Sequence, residues 1–126
     1  MPKHVPKLPG VEPGPYPFSQ VVEANGFVFL AGQVGDAPGS HGAVPGGIEA
    51  ETRAMLDNVG RLLTAAGLTF ADVVKATVYL RDFGDFAAMN TVYREYFPNE
   101  PPTRATVGVT ALAADYSVEI EVIATR

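Results

Sequence analysis

Residues 25–31 read Asn25-Gly26-Phe27-Val28-Phe29-Leu30-Ala31. An Asn-Gly pair between two apolar runs signals a tight hairpin, because both turn residues tolerate positive φ. The entering strand is read over 19–24 and the leaving strand over 27–33. The leaving strand is apolar at successive positions from Phe27 to Ala31, so both of its faces are apolar. Such a strand requires cover on both sides of its sheet.

Outward from the hairpin, residues 35–47 form a loop rich in Gly, Pro and Ser. Residues 48–66 carry Ile48, Thr52, Met55, Val59, Leu62, Leu63 and Ala66 at spacings of three and four, which predicts a helix. Glu49 and Glu51 fall in its first turn, Arg61 lies towards its end, and Gly67 is placed to cap it. Val73–Leu80 is a β-branched and aromatic run, read as a strand. A second helix is expected over 85–97, with Asp85 as cap, Phe86, Met89, Tyr93 and Phe97 as its apolar stripe, and Pro98 as its stop. Residues 104–109 and 117–124 read as the last two strands. The order is β-β-α-β-α-β-β, an α/β sandwich of one domain spanning 1–126, with both helices on one face of one sheet. Two helices cover only one face. The other implies a partner, most simply further copies of the chain.

Composition agrees with one cored domain. Of 126 residues, 47% are hydrophobic and none is cysteine, so disulfides, thiol nucleophiles and cysteine zinc sites are excluded. A net charge of −5 opposes gripping a phosphate backbone. The lead-in holds prolines at 2, 6, 9, 13, 15 and 17, and an irregular or extended path is expected there. It shows no apolar signal-peptide core, and no segment approaches the roughly 20 apolar residues of a membrane helix. A cytoplasmic location is compatible with these features. His4 and His41 stand isolated in loops, poor candidates for metal ligands, and no phosphate-loop motif is present.

Two residues stand out as carriers of chemistry. Arg104 opens a strand after Glu100-Pro101-Pro102-Thr103 and could present its planar fork to a carboxylate; a surface ion pair is the alternative. In Ser117-Val118-Glu119-Ile120-Glu121-Val122-Ile123, alternation sends Val118, Ile120 and Val122 to one face and Glu119, Glu121 and Ile123 to the other. With the helices on the Val/Ile/Val face, Glu119 lies where a partner is expected and could activate water; an ordinary polar strand face is the alternative. Tyr16, held between prolines, could line a pocket or pack the lead-in. Asn90 could bond a ligand or stand exposed. Gly32 could permit close backbone approach to a ligand, or mark a bulge or turn.

Taken in order, Pro13-Gly14-Pro15-Tyr16, Ala31-Gly32-Gln33-Val34, Asp57-Asn58-Val59, Ala65-Ala66-Gly67-Leu68 and Asp85-Phe86-Ala87-Ala88-Met89-Asn90-Thr91-Val92-Tyr93 resemble the Rid/YjgF pattern. The most specific part is Pro102-Thr103-Arg104 followed by Val118-Glu119-Ile120-Glu121. The resemblance spans about residues 13–125. It implies a chorismate-mutase-like fold, a homotrimer whose sheets form a central barrel, and clefts between neighbouring subunits. It also implies cofactor-free hydrolysis of 2-aminoacrylate-type enamines and imines to 2-keto acids and ammonia. On that resemblance Arg104 binds the substrate carboxylate, Glu119 positions or activates water, and Tyr16, Asn90 and the Gly32 backbone line the pocket. Thr106 stands where the archetypal branch often has cysteine, which bears on substrate preference. An endoribonuclease and a non-catalytic ligand-binding or chaperone-like trimer are the competing readings; the acidic charge opposes the first.

Overall fold

A computed structural model describes residues 2–126. Five strands, β1 (Val21–Ala24), β2 (Phe27–Val34), β3 (Val73–Leu80), β4 (Thr103–Gly108) and β5 (Val118–Thr125), form one sheet in the order β1-β2-β5-β3-β4. All neighbours are antiparallel except β3 and β4, which run parallel. Helices α1 (Gly47–Ala65) and α2 (Phe86–Tyr96) complete the expected order.

The hairpin forms where the sequence places it, with Asn25 at φ 51° and Gly26 at φ 81°. Helix α1 ends as read: Gly67 adopts φ 77°, and the Leu68 amide donates to the Leu63 carbonyl. The start of α2 differs from expectation. Asp85 occupies the cap position but makes no side-chain cap bond; Asp82 accepts instead from the Gly84 amide, capping a short 3-10 turn that leads into the helix.

β5 is central. Val118, Ile120 and Val122 are buried beneath the helices, between Val28 and Leu30 of β2 and Ala76, Val78 and Leu80 of β3. α1 contributes Met55, Leu56, Val59 and Leu63 to this core, and α2 contributes Met89, Val92 and Tyr93. Burying each large aliphatic chain contributes roughly 1.5–3 kcal/mol. The opposite face carries no helix, and there Phe27 and Phe29 remain 45% and 39% exposed.

The start of β5 is tied to α1 by one buried carboxylate. Glu51 accepts from the backbone amides of Ser117 (2.7 Å) and Val118 (3.2 Å). Two amides on one carboxylate satisfy a group that would be costly to bury alone. The loop 35–47 is tied to the same end of the sheet. The Asn58 side-chain amide donates to the Val34 carbonyl (2.7 Å) and to Asp36 Oδ1 (2.9 Å), while the Gly42 amide donates to the Tyr116 hydroxyl (2.8 Å). Gly35 packs directly on the Glu51 backbone, and a Cβ there would collide with the Glu51 carbonyl. Gly35→Ala must displace α1 from the sheet and is expected to cost about 1–3 kcal/mol, the usual scale of overpacking. Urea denaturation reads this directly; a midpoint equal to that of the unaltered chain would mean that α1 moves aside freely.

Candidate active site

Glu119 is the second residue of β5, paired with Val34 of β2 and Tyr79 of β3. β2 has an irregular register between Leu30 and Gln33, and Gly32 lies within that irregularity. Gly32 is also where a close approach requires the absence of a side chain, because a Cβ would occupy the position of the Glu119 carboxylate. The irregular register agrees with the bulge read from the sequence, and the close approach seen within the chain is that of the Glu119 side chain. The carboxylate opens into a groove of about 440 Å³ shared with Phe18, Ser19, Val22, Phe29 and Gly32. Burial, helped by the negative charge of Glu121, pushes the Glu119 carboxyl above the ordinary glutamate value.

Arg104 lies on the edge strand β4, in register with Ala76 of β3. Its guanidinium carbon sits 4.6 Å from the centre of the Tyr93 ring and 5.7 Å from that of Phe86. This stacking orients the fork and leaves its in-plane donors free for an anion. Asn90, Tyr93, Arg94, Phe97, Pro102 and Arg104 line a second groove of about 280 Å³. Thr106, two residues beyond Arg104 on the same face, has a buried hydroxyl without a partner, as does Tyr93. Burial raises the Tyr93 phenol, an effect the Arg104 charge opposes. Neither Arg104 nor Glu119 forms an ion pair among the described residues.

The two grooves do not meet within the chain. Arg104 shares a face with the buried Ala76 and points to the helix side, whereas Glu119 shares a face with Tyr79 and points to the helix-free side. Tyr16 is 68% exposed and lines neither groove. One chain thus joins Arg104 with Asn90 and Thr106, joins Glu119 with Gly32, and leaves Tyr16 apart. Among the described residues no group of three or more His, Asp or Glu side chains is arranged to hold a metal ion, and no helix is long and apolar enough to cross a membrane.

A family model described as Endoribonuclease L-PSP matches residues 12–126. The chain belongs to this family, the Rid/YjgF family. A curated 2-iminobutanoate/2-iminopropanoate deaminase from Capra hircus is 46% identical over 110 residues, covering 87% of this chain and 80% of that protein. Among solved structures, RidA from an Antarctic Psychrobacter superposes with a TM-score of 0.88 at 31% identity, covering 98% of this chain and 99% of the other. E. coli TdcF with bound serine superposes with a TM-score of 0.83 at 37% identity, covering 90% of this chain and 91% of the other.

Several groove residues of this Rid protein were not singled out from the sequence. Phe18 and Ser19 border the Glu119 groove, and Arg94 borders the Arg104 groove. In the sequence Tyr93 reads as part of the apolar stripe of α2. Its position three residues after Asn90, one helical turn on, was the available signal.

The raised Glu119 pKa has a consequence for folding. The folded chain holds the proton more tightly than the unfolded chain. The associated stabilisation is complete below the ordinary value of 4.5 and is lost as pH rises through the raised value. Glu119→Gln removes this dependence. Its urea midpoint relative to the parent protein is therefore expected to improve between pH 4 and pH 7. A constant difference over that range would show that Glu119 titrates alike in both states.

Proposed function

We propose that this Rid protein is an imine/enamine deaminase, acting on 2-aminoacrylate-type intermediates and yielding 2-keto acids and ammonia. The observation that carries this reading is the Glu119 carboxylate. It has no cationic partner among the described residues, fits the space left by Gly32, and has its proton affinity raised by burial and by the charge of Glu121. Support comes from Arg104, whose stacked and unpaired fork suits the carboxylate of a 2-imino acid. Relatives named as imine deaminases, and a related structure holding serine, a small amino acid, fit the same chemistry.

The reaction balances without a cofactor. Water adds its oxygen to the carbon of the protonated imine and yields a proton to Glu119, while the carbon–nitrogen π pair moves to nitrogen and gives a neutral carbinolamine. Glu119 returns that proton to nitrogen, ammonia leaves with the carbon–nitrogen bond pair, and the hydroxyl proton passes to Glu119 as the carbonyl of the keto acid forms. Arg104 holds the substrate carboxylate throughout, with Asn90 and Thr106 beside it; Tyr16 and the Gly32 backbone complete the pocket. Because Arg104 and Glu119 occupy opposite faces of one sheet, the working cleft draws them from two subunits of a homotrimer. Its helix-free faces, with Phe27 and Phe29, turn inward as a barrel. A cytoplasmic protein of this kind acts on small molecules. Its charge of −5 opposes an endoribonuclease role.

The two charged groups fail differently. Arg104→Lys keeps the charge but loses the fork, costing about 1.5–3 kcal/mol of substrate binding, the scale of hydrogen bonds to charged groups. Glu119→Gln lowers turnover roughly 10²–10⁴-fold, the scale of general base catalysis, while a keto acid still binds. Steady-state kinetics with calorimetric binding separates them, and wild-type turnover by folded Glu119→Gln would refute the mechanism.

The two-subunit cleft has its own test. Arg104→Ala and Glu119→Gln chains, each inactive alone, are unfolded together and reassembled in equal amounts. Random mixing restores about a quarter of the clefts, those drawing an intact arginine from one chain and an intact glutamate from its neighbour. Activity no greater than that of the separate variants would place the whole site within one subunit.

A further inference from the structure

The helix-free face carries a second carboxylate that the proposed chemistry does not use. Glu121 follows Glu119 by two residues on the same face of β5, so their Cα atoms are about 6–7 Å apart. Tyr79 stands opposite Glu119 in the β3 register, yet its hydroxyl donates diagonally to Glu121 Oε1 at 2.7 Å. The bond holds the Glu121 carboxylate on this face instead of leaving it to swing into solvent. It also raises the Tyr79 phenol, with burial and both carboxylates contributing, so the hydroxyl remains a donor across the working pH range.

We propose that Glu121, pinned by Tyr79, is a positioning residue that sets the pH at which Glu119 becomes a base. This inference rests on the reading of Glu119 as the base. Within one chain, the other groups facing Glu119 leave Glu121 as the near charge; in the proposed cleft the Arg104 of a neighbouring subunit is the opposing charge, and it is common to every variant compared. β2 offers Gly32 and Val34, and the lead-in offers Phe18 and Ser19, none of them ionisable. Lys75 of β3 pairs with Ile123 farther along and borders a hollow with Glu121 and Thr77. Tyr16, the phenol of the lead-in, lines neither groove of a single chain. A fixed negative charge at this range makes proton loss from Glu119 harder and the resulting carboxylate a stronger base. The direction agrees with the contribution of Glu121 to the raised Glu119 value.

The test is the acid limb of kcat/KM against pH for the assembled protein, with 2-iminobutanoate generated in situ by excess amino-acid oxidase. Glu121→Gln removes the charge, and its limb is expected about 0.5–2 pH units lower, the range Coulomb's law gives at this separation for effective dielectric constants between about 80 and 20. Tyr79→Phe frees the carboxylate and moves the limb in the same direction by less. Glu121→Asp, which keeps the charge, stays nearer the parent profile than Glu121→Gln. Tyr79→Phe removes a single hydroxyl and keeps the ring, so it remains informative if Glu121→Gln folds poorly. Coincidence of either the Glu121→Gln or the Tyr79→Phe limb with that of the parent protein overturns the inference. Glu119→Gln is measured alongside: parent-like activity with an intact acid limb there would refute the base itself, a failure distinct from an immobile limb in the other two.

Discussion

The alternation of β5 is the constraint on which the rest depends. Val118, Ile120 and Val122 are buried against two helices, and that burial leaves Glu119 and Glu121 no choice of face. A slip of one residue would bring both carboxylates into the apolar core and expose Ile120. Its central position and three neighbouring elements lock the strand. The Glu51 carboxylate holds its first amides, β2 and β3 flank it, and α1 lies above it. The placement of the Glu119 carboxylate is in this sense a by-product of core packing.

The same sheet explains why a small chain leaves its chemical groups unpaired. Arg104 rests on Tyr93, Thr106 and Tyr93 keep buried hydroxyls without partners, and Glu119 sits beside a glycine instead of a cation. Satisfying any of these inside the chain would have been stabilising. Leaving them unsatisfied is the expected signature of groups reserved for a ligand or a neighbouring subunit. The helix-free face, with its partly exposed phenylalanines, is unfinished in the same way, so assembly and completion of the cleft become one event in the proposed trimer.

Much of this was legible in the sequence because the deciding effects are local. The Asn25-Gly26 turn, the three-and-four spacing of α1, the terminating Gly67 and the alternation of 118–123 each act over a few residues, and the structure contains all four. Asp85 holds the cap position but not the capping bond, because a short 3-10 turn, capped by Asp82, leads into α2. The residue types at 104 and 119 could be read as fork and base, each with a bland alternative that local pattern could not remove.

Tertiary structure alone decided the relations between distant residues. That Gly32 makes room for Glu119 follows from an irregular β2–β5 register, a contact between opposite ends of the chain. That Arg104 points to the helix side while Glu119 points away follows from the β3–β4 and β3–β5 registers, and the former is reached only through the α2 crossover. Tyr79 reaching Glu121 instead of the residue opposite it is likewise a matter of side-chain direction across strands. The sequence by itself determined the elements and their apolar faces, since periodicity and turn chemistry are properties of neighbouring residues. Which charged groups share a face, and which lie on opposite faces, depends on long-range strand pairing, which no local pattern encodes.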